Sequence, residues 1–366
     1  MAWIRSKNDH CFNVLRLNTA GRDIIRRAPQ MSDQQLEQEL DHYFHNKGWR
    51  SGERVEPKQV KQNTKDKEPS QKEVPNVRLT DTQRSKISDK LSQVFKKAHK
   101  TKELKEVIET IDNQSNEVKK LITETYNNVH VLPSKNSVYM PHQKAIYFDL
   151  NSIRENGENG YSKNEVLFHE TGHAIDFNYK GEGRGETASE NYISQKYNKT
   201  LEVMLAEEAR TLDFGKIEKE LYTKEGYYKI KEETQPRLKE LTKEFRSLLR
   251  SSSPDIKAKR DKIQVEREVL STKYFDTTHK LQRKYSSLSD MSQAFTGNKF
   301  EENGGHGISY FSAGPHGTVN KSANEFFAET FSSKVRNDES YELTKKYFPK
   351  TTGIFEEILK VKGVSK

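Results

Sequence analysis

The segment from Ser162 to Phe177 constrains this chain more than any other part of it. Ser162 and Glu165 have the spacing of a capping box, which starts a helix by satisfying its first backbone N–H groups, and Val166, Leu167 and Phe168 supply an apolar face to bury it. On that helix His169 and His173 project from one face, which gives two imidazoles the separation a tetrahedral zinc ion accepts. Glu170 is turned by roughly 100° from His169. From there it can reach a water beside the metal without ligating the metal, the placement of a general base. A chance His-Glu-x-x-His on an exposed helix is the plain alternative; the cap, the apolar lead-in and the small Gly172 between the histidines argue against it. Asp176 shares the ligand face and is open to three roles, a ligand, a partner of a ligand or a polar end to the helix, of which the last two are favoured.

Composition limits what else can hold the metal. Cys11 is the only cysteine in 366 residues, so the chain has neither an internal disulfide nor a thiolate pair for zinc. The remaining ligand must be a carboxylate or histidine. Asn320 to Phe331 is the best source, because Glu325 and Glu329 stand one helical turn apart among Phe326, Phe327 and Phe331. Carboxylates in such surroundings are costly to bury unless a cation or a donor meets them. Glu325 is therefore expected to ligate zinc, and Glu329 to accept a hydrogen bond from the second ring nitrogen of a zinc histidine. The competing reading is a second capping box, Ser322 with Glu325, that leaves both glutamates solvated.

Only 32% of the residues are hydrophobic, 32% are charged and the mean hydropathy is −1.01, which predicts a compact unit joined to extended polar parts. Residues 1–50 are expected to form a small N-terminal module, with Ser32 capping a helix that carries Leu36, Leu40 and Phe44. Residues 51–78, polar and interrupted by Pro57, Pro69 and Pro75, are expected to form a linker. Residues 79–366 make up the main domain. It should open with two helices broken near Asn113, followed by VHVLPS and two short strands joined around Pro141-His142-Gln143, in which Val138, Met140, Ala145 and Tyr147 take part. Residues 196–286 are charged and helical, with breaks at Gly215, Gly226 and Ser251 to Pro254, as in an antiparallel hairpin or coiled-coil arm. The fold class is thus α+β, with a small sheet, an active-site helix and a long charged helical insertion.

The net charge of +9 comes from 63 Lys and Arg against 54 Asp and Glu, interleaved along the chain. Interleaving favours solvated helix faces over a nucleic-acid surface. The N-terminal sequence lacks the apolar run of a signal peptide and no stretch is long enough to span a bilayer, so no membrane association is expected and residence in a cytosol is.

His169-Glu170-Thr171-Gly172-His173-Ala174-Ile175-Asp176, followed by Asn324-Glu325-Phe326-Phe327-Ala328-Glu329-Thr330-Phe331, resembles the zinc-peptidase domains of the anthrax lethal factor and pro-pro endopeptidase family, zincins whose third ligand is a glutamate. Residues 287–360, with SDMSQAFTGNKF, NGGHGISYF, EFFAETF and KKYFPKTTGIFEEIL, more closely resemble the zincin-like domain at the ends of phage minor head (head morphogenesis) proteins. The likeness covers about residues 130–180 and 287–360 and leaves out the N-terminal module. It implies a zincin-like domain, Zn2+ as cofactor, hydrolysis of peptide bonds in a peptide or protein substrate, and a phage-encoded protein. Phage head proteins are the implied partners, and the cytoplasm of a bacterial host or the virion the implied location.

In lethal-factor-like peptidases a tyrosine about seven residues before the third ligand stabilises the oxyanion, and here that offset holds Thr318. Tyr310 is the first candidate to replace it, followed by His306 and His316, all within Gly304 to Gly317. The alternative function is a phage head morphogenesis or minor capsid protein with a retained, non-catalytic zinc site. Glu170 argues for the peptidase and the missing tyrosine for the structural protein. A further alternative gives the basic arm a nucleic-acid role.

Overall fold

Apolar residues recur at helical intervals from Leu79 onward, and they turn inward on helices that pack over a small sheet. The structure is a computed structural model that describes Gln35, Gln38 and residues 78–97, 100–149, 164–177, 187–249, 253–303, 306–312 and 321–364. Leu91, Val94 and Phe95 on α1 (Asp81–Lys97), Leu104, Val107 and Ile111 on α2 (Thr101–Asp112), and Val118, Leu121 and Ile122 on α3 (Asn116–Asn128) are all buried. Three helices therefore stand where two were expected. The break near Asn113 is present, with Ser115 accepting from the Val118 N–H to cap α3. The earlier break falls at Lys100, whose N–H turns back to the Phe95 carbonyl at 2.8 Å.

Three strands follow: β1 (His130–Ser134), β2 (Val138–Met140) and β3 (Ala145–Asp149). β3 is central, parallel to β1 and antiparallel to β2. VHVLPS thus contributes a strand of its own, and its Pro133 lies on an edge strand, where a missing N–H is tolerated. A single 3-10 turn at Pro141–Gln143 joins β2 to β3, closed by Lys144 in the left-handed region at φ 46°. On β2 the middle residue, Tyr139, is buried, while Val138 and Met140 are exposed.

The remaining helices are α4 (Glu165–Phe177), α5 (Ala188–Asn191), α6 (Leu201–Ala209), α7 (Phe214–Lys224), α8 (Tyr227–Leu248), α9 (Pro254–Thr296), α10 (Ile308–Ser312), α11 (Lys321–Arg336), α12 (Glu339–Tyr347) and α13 (Pro349–Val364). The molecule is mostly helical with one small sheet, compatible with the α+β class. Among the described residues no helix is long and apolar enough to cross a membrane.

α8 and α9 form the expected hairpin. Gly226, at φ 73°, admits the turn into α8, and Ser253 caps α9 ahead of Pro254. Tyr227, Thr234 and Leu241 are buried at seven-residue spacing, the seam of a two-stranded coiled coil. Ion pairs between Arg237 and Glu266 and between Lys273 and Glu233, each 2.7 Å, cross the outside of the hairpin and contribute little each because they are exposed. The arm does not end at residue 286 as expected. α9 continues to Thr296, and Leu288, Ser289, Asp290, Met291 and Ser292 in its last turns are all buried. A helix buried on every side belongs to the core, so one continuous helix serves as both arm and core element.

α4 and α11 pack closely. A Cβ built on Gly172 would lie 2.8 Å from Ala328 Cα and 3.1 Å from Phe331 Cβ. Gly172→Ala must therefore push the two helices apart, with an expected loss of about 1–3 kcal/mol in urea unfolding. An unchanged midpoint and slope would contradict this packing.

The chain divides into two compact units, one of Met1–Pro75 with Ser309–Val319 and one of Asn76–Ile308 with Asn320–Lys366. Every element above except most of α10 lies in the second. The helix expected after Ser32 and the expected linker lie outside the described residues apart from Gln35 and Gln38, both helical, and Arg78.

Candidate metal centre

α4 begins at Glu165, and the Ser162 of the expected capping box lies outside the described residues. Glu165 faces Arg336 of α11 at 3.4 Å. Leu167, Phe168, Ala174 and Ile175 bury the helix, and Thr171 is tied to Tyr126 of α3 by a buried hydroxyl contact of 3.0 Å. His169 and His173 remain partly exposed on one face, with their Nε2 atoms 3.1 Å apart and their rings nearly perpendicular.

The close approach at Gly172 brings α11 against that face, so the two glutamates flanking Ala328 meet the histidines. Glu325 Oε2 lies 3.3 Å from His169 Nε2, and Glu325 Oε1 lies 3.4 Å from His173 Nε2. These three side chains can hold a metal ion. Glu325 is 1% exposed, so it does not act as a solvated capping residue. Glu329 Oε1 lies 3.1 Å from His169 Nδ1, the contact expected of it, while its other oxygen accepts from Ser287 of α9 at 3.0 Å.

Burial alone would favour neutral groups here, but the partners outweigh it. Burial opposes charge on His169, yet Glu329 and Glu325 lift it well above the usual histidine range. Burial likewise opposes charge on Glu325, and His173 and His169 hold it well below the usual carboxylate range. Two carboxylates converging on a histidine pair form an electrostatic well that suits a cation.

Glu170 is buried at the edge of the sheet, where its Oε2 accepts the Tyr139 N–H of β2 at 2.6 Å. Its carboxylate is thereby fixed by the backbone of an edge strand. Asp176, by contrast, makes its hydrogen bonds away from the histidines. It accepts from the Ser189 N–H at 2.8 Å, from Ser189 Oγ at 2.7 Å and from Asn324 Nδ2 at 2.9 Å. That makes it an anchor joining α4, α5 and α11 rather than a ligand or a direct partner of one, and through Asn324 it fixes the residue beside Glu325. Burial pushes its carboxyl up, with Ser189 opposing. Burial also lowers the nearby Lys362 to about 8, with Asp176 opposing.

Of the expected oxyanion donors, His306 lies in the second unit with the metal cluster. Its N–H and Nδ1 face Asp290 of α9 at 3.2 and 3.4 Å; burial opposes charge on its ring, yet Asp290 and Glu325 raise it above the usual histidine range. Tyr310 falls in the first unit, where its ring meets Phe311 edge-on at 5.4 Å. His316 and Thr318 lie outside the described residues. Ser287 and Asp290 were not singled out as site residues from the sequence. Their one signal is a buried carboxylate in the apolar end of a helix, between Leu288 and Met291.

The chain matches no family model, and no curated protein or solved structure matches it.

Proposed function

We propose that the protein is a zinc-dependent endopeptidase with a zincin-like domain. The carrying observation is the convergence of His169, His173 and Glu325: the two Nε2 atoms stand 3.1 Å apart, with one Glu325 oxygen 3.3 Å from His169 and the other 3.4 Å from His173. Ligand atoms about 2.0–2.1 Å from a tetrahedral zinc stand about 3.3–3.4 Å from one another, so the imidazole pair and one glutamate oxygen can close on zinc, and three such ligands leave a fourth position open. When bound, the zinc ion polarises the scissile carbonyl and brings the pKa of a water beside it to about 7.

The chain's own residues supply the rest. Glu170, anchored by the Tyr139 N–H, takes the proton of the attacking water and passes it to the leaving amine. His306 is the preferred donor to the carbonyl oxygen as negative charge develops there. β2, an edge strand with Val138 and Met140 exposed, suits an extended peptide laid alongside the site. The likeness of residues 287–360 to head morphogenesis proteins extends the proposal to a phage setting, with head proteins as candidate substrates in a bacterial cytoplasm or on the virion.

Digestion of a proteome-derived peptide library by zinc-reconstituted protein tests this reading. Cleavage at a shared sequence, lost with a chelator and restored by zinc, is expected. A fully zinc-loaded protein that cleaves no peptide would favour the non-catalytic alternative. The carboxylates should differ in severity: Glu325→Ala removes a ligand and most of the zinc affinity, whereas Glu329→Ala weakens it by about 10- to 100-fold. Titration with a competing chelator measures both, and equal, negligible losses would remove Glu325 from the ligand set.

A further inference from the structure

α9 touches the candidate site twice, from residues one turn apart. Ser287 reaches Glu329, and Asp290 reaches His306. Both oxygens of Asp290 are engaged, Oδ1 with the His306 N–H and Oδ2 with His306 Nδ1. The same helix also fixes the chain just before that histidine. Ser289 Oγ accepts the Phe300 N–H at 3.1 Å, Tyr274 donates to Glu302 Oε1 at 2.6 Å, and Gln282 donates to the Glu302 carbonyl at 2.7 Å. From α7, Tyr222 donates to the Glu301 carbonyl at 2.6 Å.

We propose that Asp290 is a positioning residue for the reaction, holding His306 so that its Nε2–H donates to the developing oxyanion. The proposal rests on the peptidase reading above. A carboxylate facing Nδ1 keeps the proton on that nitrogen, orients the ring and stabilises the imidazolium, whose remaining N–H is Nε2. That nitrogen points away from Asp290, and one turn earlier on the same helix Ser287 contacts Glu329, which itself lies 3.1 Å from His169. Burying Asp290 is costly, and burial does push its carboxyl up with His306 opposing, so a loop anchor alone would be served as well by a neutral amide. An amide at this position still accepts one hydrogen bond but no longer favours the imidazolium. The base of the helical arm thus forms part of the catalytic machinery, with Tyr274 and Tyr222 securing the loop that Asp290 orients.

The test uses full-length, zinc-reconstituted protein and the peptide selected by the library digest, with His306→Ala, Asp290→Asn and Asp290→Glu compared with wild type. Asp290→Asn is expected to lower kcat by about 10- to 100-fold with KM changed less than about twofold, and Asp290→Glu to recover part of the loss. Zinc content and Tm should stay near wild type. Independently of turnover, 15N NMR of the histidine side chains should show His306 protonated at Nδ1 in wild type and altered in Asp290→Asn. A slow His306→Ala beside an Asp290→Asn of wild-type kcat would overturn this proposal and leave the peptidase intact. Wild-type turnover in His306→Ala would overturn it together with the donor assignment. An unchanged His306 spectrum in Asp290→Asn would also overturn it, and no cleavage by zinc-loaded wild type would overturn both this proposal and the peptidase reading.

Discussion

Glu170→Gln should keep its metal and its fold while peptide cleavage falls by about 10²- to 10⁴-fold, the range for loss of a general base. Glutamine is nearly isosteric, and its amide oxygen still accepts the Tyr139 N–H, so the anchor to β2 survives the substitution. What disappears is the basic lone pair that takes the water's proton. Glu170 is not among the three side chains that can hold a metal ion, so zinc content should stay at the wild-type level. Turnover of the selected peptide, measured beside metal content and circular dichroism, checks this. Wild-type turnover in the Gln protein would exclude Glu170 as the base.

The second large effect concerns the two histidines, whose removal should be unequal in one respect and equal in another. Either His169→Ala or His173→Ala should abolish stoichiometric zinc retention, because a catalytic zinc site built on three protein ligands does not survive with two. Their effects on the metal-free fold should differ. His169 meets both Glu325 and Glu329, whereas His173 meets Glu325 alone. Removing His169 leaves the buried Glu329 without its main counter-charge and Glu325 with His173 alone, a change expected to cost about 3–5 kcal/mol, while His173→Ala leaves both His169 contacts in place. Chemical denaturation of the metal-free variants reads this difference. Equal stabilities would show that the additional contact of His169 with Glu329 contributes nothing to the fold.

The sequence exposed those parts of the site that depend on local spacing. His169, Glu170 and His173 are fixed relative to one another by helix geometry, and Gly172 was visible as a small residue between the ligands. Glu325 and Glu329 were legible because carboxylates among phenylalanines require partners: Glu329 meets His169 Nδ1 as expected, and Glu325 lies in the cluster that can hold a metal ion. The long-range contacts were not legible. Asp176 meets Asn324, and Ser287 meets Glu329, through packing that periodicity does not encode. Asp290 was hidden in a helix whose charged length resembles a solvated arm, although its last turns are core. The break at Lys100 was missed because neither glycine nor proline marks it, and the helical spacing of apolar residues runs through it. Tyr310 offers the chemistry of a phenol, yet His306 is the candidate with a described carboxylate partner, on the helix that also meets Glu329.

Metal analysis of the purified wild-type chain tests the central claim most directly. The account predicts about one zinc per chain after reconstitution and dialysis, with X-ray absorption showing two imidazoles and oxygen ligands about 2.0–2.2 Å from the metal and no sulfur. A chain that retains no zinc after reconstitution, or one whose absorption spectrum lacks the imidazole pair, would contradict it.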